Sequence, residues 1–423
     1  MKCVISHPNI APYIKESVLA YQENGALVKF YTTYFQHPQY PFTQRLIRFF
    51  PWLEQEFKRR SIEEINYSYL KGNPFHEMLR IISARLNISW VENRVWQWND
   101  RKFDNWVAGN LKPGIEWVHT YEHAALSTIR KAKALNMISF YEQPSQHHLY
   151  LSRILEDQLN KYPELNSPAT KLMYDRNAIQ CDARKDLELA ECDYIICNSS
   201  FTQKTLKLAG IREDKIIMIP YGFPETSFEL PKRQPSKKFT FLYAGNQNLR
   251  KGIHILYKAW KACNFDPAKA ELILVGESQL PDSLRNDLPA SVKFIPNIPH
   301  AELMSYYQKA NVFVLPTLAD GFGMVVSEAM SQGLPVITTD TSGGPDIINN
   351  RVNGLIVESD NIPALRDELR WCFENPDKLI EIGNNAFLTA QAYPWSSYRK
   401  RLIAEVLSRV ELHQRSNRNS RNN

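Results

Sequence analysis

The sequence predicts an α/β protein of two similar halves, each built on a parallel sheet. Three observations carry that expectation. Short apolar strand runs alternate with helical patterns in both halves of the 423-residue chain, as in βα units whose strands are covered on both faces. Residues 220–238, PYGFPETSFELPKRQPSKK, are rich in proline and charge and suit a linker. A glycine-rich turn, DGFG at 320–323, joins a strand-like run to a helix-like one, and such turns are where open α/β sheets bind ligands.

In the first half, strands are expected at KCVISH (2–7), LVKFYTT (27–33), EWVHT (116–120), ISFYE (138–142) and YIICNS (194–199). An insertion rich in aromatics and arginine, 34–112, separates the second from the third. In the second half the runs are FTFLYA (239–244), ELILVG (271–276), VKFIP (292–296), VFVLPT (312–317) and PVITTD (335–340). Their β-branched, nearly continuous apolar character suits buried parallel strands. MVVSEAMSQ (324–332) reads as a short helix stopped by Gly333 and Pro335, and 393–412 as a terminal helix. These boundaries give a first domain over 1–220, completed by 395–412, and a second over 221–394. The polar tail 413–423 is expected to be disordered.

Composition removes several classes. The net charge of +6, from 51 basic against 45 acidic residues, is too even for a nucleic-acid binder, so no such partner is expected. Six scattered cysteines without a Cys-x-x-Cys pair read as reduced thiols. The N-terminus enters a strand without an apolar signal core, and no run approaches the ~18 apolar residues of a membrane span. A cytoplasmic location follows as an expectation. The stretch FTQRLIRFFPWLEQEFKRR (42–60) interleaves aromatics with basic residues. It is either an amphipathic surface for the anionic inner face of a membrane or a core-facing helix with a charged outer side.

Two turns carry the chemistry. In DGFGMVVSE (320–328) the helix start near Phe322–Val325 presents free amides and the positive dipole end, suited to a phosphate. Glu328 lies about one helical turn on, on roughly the same side, where it would accept hydrogen bonds from hydroxyls. GNQNLRKG (245–252) follows another strand and precedes an amphipathic helix, so Arg250 and Lys251 stand at the carboxyl edge of the same sheet. Two cations there suit a diphosphate and its developing charge; alone, they would be a solvated basic pair.

Together these residues resemble the family 4, or group 1, glycosyltransferases, retaining enzymes of GT-B fold. The family's Glu-x7-Glu signature falls on Asp320 and Glu328, and its RKG on Arg250, Lys251 and Gly252. The run GLPVITTDTSGGPDIINNRVNGLIV (333–357), the linker IPYGFPETSF (219–228) and YPWSSY (393–398) are also family-like. The resemblance implies two Rossmann-like domains facing across a cleft, with the last helix crossing back to the first. It implies a nucleotide-diphosphate sugar as donor, held mainly on the second domain, and a glycan or lipid-linked acceptor on the first. Arg250 and Lys251 would hold the diphosphate beside Gly252, and Glu328 the ribose hydroxyls. Backbone amides of Gly321, Phe322, Gly323, Met324 and Val325 would hold phosphate and sugar, with Asp320 facing the transferred sugar's hydroxyls. No cofactor or metal is expected, and no Asp-x-Asp motif occurs. The chain departs from the family at Asp320, one methylene shorter than the usual Glu, and at Asn246, where many members carry Arg.

VHTYEHAALS (118–127) resembles the loop in which the family places a histidine near the reaction centre. One alignment puts Tyr121 there, with His119 and His123 on either side. Both histidines are site candidates, and a structural hydrogen bond is the alternative for His119. The same letters read H-x-x-E-H, the ligand spacing of one class of zinc peptidases. That chemistry needs both histidines on one helix face, and the strand-like EWV before His119 argues against it. His147 and His148, and His7 after the first strand, stand past strand ends. They are acceptor-side candidates, with helix capping or simple exposure as the alternative. The competing functions are a nucleotide-sugar epimerase of similar fold, acting without an acceptor, and a non-catalytic GT-B scaffold.

Overall fold

The computed structural model describes residues 1–40, 48, 54–58, 60–75, 89–166, 176–226, 229–231 and 237–422. Thirteen strands among them form two wholly parallel sheets. In the first, β1 (Cys3–Ser6), β2 (Leu27–Thr32), β3 (Leu70–Gly72), β4 (Trp117–Tyr121), β5 (Ile138–Gln143), β6 (Tyr194–Cys197) and β7 (Ile216–Met218) lie in the order β3-β2-β1-β4-β5-β6-β7. In the second, β8 (Phe239–Ala244), β9 (Ala270–Val275), β10 (Val292–Ile295), β11 (Val312–Leu315), β12 (Val336–Thr339) and β13 (Leu355–Val357) lie in the order β10-β9-β8-β11-β12-β13. Each sheet reverses its winding once, between β1 and β4 and between β8 and β11. At such a switch point the loops leaving two neighbouring strands diverge to opposite faces and open a crevice. Every candidate ligand loop of the sequence lies at or beside one of the two.

The ten expected strands are all present, with ends that differ from expectation by no more than two residues. β3, β7 and β13 were not expected. Each is three residues long and occupies a sheet edge, shorter than the runs of four to eight that read as strands.

The chain crosses between the sheets twice, and the two crossings touch. Phe223 N–H donates to the Tyr393 carbonyl at 2.9 Å, and Trp395 N–H donates to the Phe223 carbonyl at 3.2 Å. A Cβ on Gly222 would stand 2.5 Å from the Trp395 Cα, so only glycine permits this approach. Beyond the second crossing, the helix Trp395–Asn422 lies along the helix Pro12–Glu23. Tyr398, Leu402, Val406 and Val410 recur every fourth residue and are all buried in the first sheet's core; each contributes about 1.5–3 kcal/mol by burial. Arg399 pairs with Glu16 and Glu23 at its flank.

Two expectations are corrected here. Residues 413–422, expected to be a disordered tail, continue that helix. Once a helix is nucleated by its packed turns, each further residue adds at little cost. Most of the 42–60 stretch lies outside the described residues, but two of its members turn inward. Phe57 is buried edge-on against Tyr34, and Arg60 donates to Thr33 Oγ1 at 3.0 Å with its guanidinium 4.1 Å from the Tyr34 ring. Arg60 is therefore not part of a membrane-facing basic surface. No helix among the described residues is long and apolar enough to cross a membrane.

Candidate functional site

The two sheets face each other across a cleft of about 780 Å³. On the second sheet's side it is walled by the turns after β8 and β11. Gly252 starts the helix Ile253–Cys263 at φ +65°, and a Cβ there would fall 1.9 Å from the Pro316 carbonyl oxygen. The β8 turn therefore lies directly on the β11 turn, and their side chains share one space. Lys251 Nζ contacts Asp320 Oδ2, and Arg250 Nη1 stands 3.6 Å from Asp320 Oδ1 while donating to the Ala319 carbonyl at 2.8 Å. The Lys251 backbone is pinned in turn, its N–H donating to Asn248 Oδ1 at 3.0 Å.

Burial pushes the Asp320 carboxyl up, but Lys251 and then Arg250 outweigh it and hold the group below its ordinary value. Burial draws the Lys251 ammonium below its ordinary value despite Asp320. The three groups form a compact triad with one positive charge in excess, in a partly dehydrated wall where charge interactions are strong.

The helix Met324–Ser331 starts at Gly323, whose φ of +79° suits glycine, and no side chain caps that start. Gly323, Met324 and Val325 line the cleft, so the helix's first amides and positive end serve it. Gly321 holds the turn against the other half of the molecule. Its carbonyl accepts from Ser199 Oγ, and a Cβ would stand 1.9 Å from the Pro144 carbonyl oxygen. Asp346 adds a second tie, accepting from the Ser200 N–H at 2.8 Å.

Glu328 departs from expectation. It does not line this cleft; its carboxylate meets Tyr307 Oη at 3.1 Å and His300 Nε2 at 3.3 Å. The helical turn that separates it from Met324 carries it along the wall toward the helix His300–Lys309. Asn246 contributes its carbonyl to Tyr243, and Arg250 is the residue of this loop that accompanies Lys251 in the cleft.

On the first sheet's side, the wall comes from loops after β4 and β5 and from the helix Arg176–Glu191. His123 lies here, at φ +80° and beside Trp96, with Nδ1 3.2 Å from the Cys181 sulfur. Burial lowers its pKa, against the opposing pull of Glu122. Glu122 itself is buried, which pushes its carboxyl up, yet His123 and Lys185 hold it lowered and ionised. It accepts from Ser145 Oγ at 2.6 Å and stands 3.5 Å from Lys185 Nζ. Gln146 lines the cleft with a buried, unpaired amide oxygen. Burial raises the Cys181 thiol to about 11, which makes it a poor nucleophile.

Three of the expected histidines lie elsewhere. His119 is wholly buried in β4, between Tyr21 Oη at 2.7 Å from Nδ1 and Glu142 at 3.0 Å from Nε2. It is a core hydrogen-bonding residue and does not line the cleft; a strand residue pointing into the sheet's covered face has no other outlet. That placement also ends the zinc-peptidase spacing, since His119 and His123 share no helix face. His7 packs edge-on against Tyr121 with Nδ1 accepting from the Asn9 N–H at 2.8 Å, and burial lowers its pKa to about 3. It is a turn-forming residue outside the cleft lining.

His147 caps the helix His148–Lys161, its Nδ1 accepting from the Leu149 N–H, and is likewise structural. His148 does line the cleft, with Nε2 2.6 Å from Asp186 and Nδ1 3.6 Å from Asp182. His147, His148 and Asp186 bring three ligand atoms within 4.8 Å of one another. As the cap's acceptor, however, His147 Nδ1 requires the ring proton on Nε2, the atom facing Asp186, so a metal there would have to break the cap.

Sequence reasoning missed Glu122, Ser145 and Lys185. Glu122 had a usable signal, as the first residue past β4. Ser145 lies two residues past β5. Lys185 sits in mid-helix and had none.

Two facing parallel sheets with a ligand-sized cleft between their switch points define the GT-B class. Residues 226–389 match the family model described as glycosyl transferases group 1. An uncharacterized glycosyltransferase of Haemophilus influenzae is 27% identical over 215 residues, covering 49% of this chain and 60% of the relative. The Erwinia amylovora amylovoran biosynthesis glycosyltransferase AmsK is 24% identical over 325 residues, covering 72% and 73%. The Staphylococcus aureus capsular polysaccharide biosynthesis glycosyltransferase CapM is 27% identical, covering 46% and 55%. The chain thus spans about half the length of several curated relatives it matches. Among solved structures, Anabaena HepE in complex with UDP-glucose superposes with a TM-score of 0.59 at 18% identity, covering 96% of this chain and 99% of that one. At that identity the likeness speaks for the fold.

Proposed function

We propose that this chain transfers a sugar from a nucleotide diphosphate to an acceptor hydroxyl, with retention, in the synthesis of a surface glycan. The observation that carries the reading is the pairing of Lys251 and Arg250 with an uncapped helix start in one cleft wall. Cations and free amides converging on one space suit a diphosphate, first as bound substrate and then as leaving group. The capsular and amylovoran biosynthesis roles of CapM and AmsK support the surface-glycan assignment.

In this proposal residues 221–394 hold the donor, and residues 1–220 with 395–412 hold the acceptor. As the sugar–phosphate bond breaks, Lys251, Arg250 and the amides of Met324 and Val325 stabilise the departing diphosphate. Asp320 accepts from hydroxyls of the transferred sugar. The nucleoside extends past Val325 toward Glu328, whose carboxylate exchanges His300 for ribose hydroxyls. Glu122 and His123 wall the opposite side, where the acceptor hydroxyl approaches. The contacts of Gly321 with Pro144 and Ser199 hold the halves closed and exclude water, which limits hydrolysis of the donor. The acceptor is a glycan, free or lipid-linked. Contact with an anionic membrane falls to Arg45, Arg48 and Lys58, and their Gln variant would release the protein from anionic liposomes.

The test is nucleotide release from a panel of UDP-, GDP- and ADP-sugars with glycan extracts as acceptors. Acceptor-dependent release with a glycosylated product supports transfer. A changed sugar from donor alone would instead identify an epimerase, and binding without turnover a scaffold.

A further inference from the structure

We infer that Asp320 is a built-in counter-ion that makes this site prefer a nucleotide-diphosphate sugar to the bare nucleotide diphosphate. The inference rests on the donor-site reading above and concerns how that site discriminates. One carboxylate spans both cations, touching Lys251 Nζ with one oxygen and standing 3.6 Å from Arg250 Nη1 with the other. Asp320 and Lys251 are only 14% and 16% exposed, so water does little to screen them.

The cations are the fixed partners. Arg250 is tethered to the Ala319 carbonyl, and the Lys251 backbone to Asn248. The carboxylate has room to turn, because Gly323 beside it has no side chain; even a Cβ there would be 3.8 Å from Oδ2. A diphosphate that takes Lys251 and Arg250 therefore displaces Asp320 from both partners. A partly buried carboxylate left without partners is costly.

The two ligands differ in what they offer it. A nucleotide-diphosphate sugar carries a β-phosphate esterified to the sugar, and brings sugar hydroxyls that donate to the released carboxylate. The bare nucleotide diphosphate has a terminal β-phosphate with an additional ionisation, its second pKa near 6, and no hydroxyl at that end. It sets more negative charge against Asp320 and gives nothing back. The same residue therefore favours substrate over the product that remains after transfer, and hastens product departure.

Calorimetric titration of wild type, Asp320→Asn and Asp320→Ser with UDP, GDP and ADP and their glucose conjugates tests this. The expected result is that the neutral variants bind the matching bare diphosphate about tenfold tighter or more, like-charge juxtaposition costing at least 1.4 kcal/mol. The sugar conjugate should gain less, so the preference for it shrinks. Equal gains for both ligands, or no gain for the bare diphosphate, would overturn the inference while leaving the donor site standing. Absence of binding by wild type to every ligand would instead overturn the donor-site reading. Asp320→Ser keeps the test open should the Asn variant misfold.

Discussion

The hydroxyl of Tyr221, in the first crossing between the sheets, donates to Glu142 Oε1 at 2.7 Å in the core of the first sheet. The other carboxylate oxygen meets His119. The Tyr221 ring stacks on Tyr13 at 5.0 Å and lies edge-on to Phe322 of the β11 turn at 5.3 Å and to Tyr398 of the last helix at 5.6 Å. One side chain thus joins the core, both crossings and the β11 turn.

Tyr221→Phe keeps the ring contacts and removes one bond to a fully buried carboxylate. An unpaired buried acceptor costs about 1–3 kcal/mol, so the urea midpoint should fall accordingly. Tyr398→Phe loses only a 3.0 Å contact with Ser17 Oγ and should cost about 1 kcal/mol or less. Equal midpoints for wild type and Tyr221→Phe would show that Glu142 does not depend on this bond.

Gly321 tests closure without touching the charges. A Cβ there meets the Pro144 carbonyl oxygen, so Gly321→Ala must part the two halves locally while each sheet keeps its own core. Misplacement of about 1 Å costs roughly 100-fold in rate. We expect a loss of that order in turnover, with the melting temperature little changed and a larger radius of gyration in solution scattering. Wild-type turnover in this variant would contradict the closed arrangement.

His254 gives the molecule an acid limit. It is buried where the helix Ile253–Cys263 meets the helix His148–Lys161, with Nε2 2.8 Å from Gln158 Oε1 and Nδ1 buried and unpaired. Burial lowers its pKa from 6.5 to about 3. Below pH 6.5 the unfolded chain takes a proton that the folded one refuses until about pH 3. The stability is therefore full above pH 6.5 and is lost as pH falls through that window, by up to about 1.4 kcal/mol per pH unit. His254→Gln retains a donor for Gln158 and cannot titrate. Its stability, from urea unfolding at pH 7 and pH 5, should fall less than the wild type's; identical falls would refute the assignment.

Glu328 separates binding from chemistry. It lies along the wall from the cleft and pairs with His300, so Glu328→Gln should weaken nucleotide affinity with little change in turnover at saturating donor. A fall in saturated turnover with unchanged affinity would place it at the reaction centre instead.

Much of this was legible in the sequence because parallel strands buried on both faces read as apolar runs. Lys251 and Asp320 each follow such a run at a strand-to-helix turn, and strand order β8-β11 makes the two turns neighbours. The first sheet's wall was less legible, since Glu122, Ser145 and Lys185 come from three separate segments. A single residue decided the histidines: β4 continues to Tyr121, burying His119 and leaving Glu122 and His123 for the cleft. For His147 the sequence left capping and ligand contact both open, since helix caps are ordinarily Ser, Thr, Asp or Asn. The extension of the last helix past residue 412 had no sequence signal, its polar tail resembling a disordered one.

The central claim is that Lys251 grips the diphosphate of an activated sugar, and calorimetric titration of UDP-, GDP- and ADP-sugars into wild type and Lys251→Ala tests it most directly. The account predicts saturable binding of at least one nucleotide class by wild type, weakened in Lys251→Ala by about 100-fold, as for loss of one partner of a buried charge contact, with the variant's fold intact by circular dichroism. Equal affinity in the two proteins, or no binding of any nucleotide sugar by wild type, would contradict it.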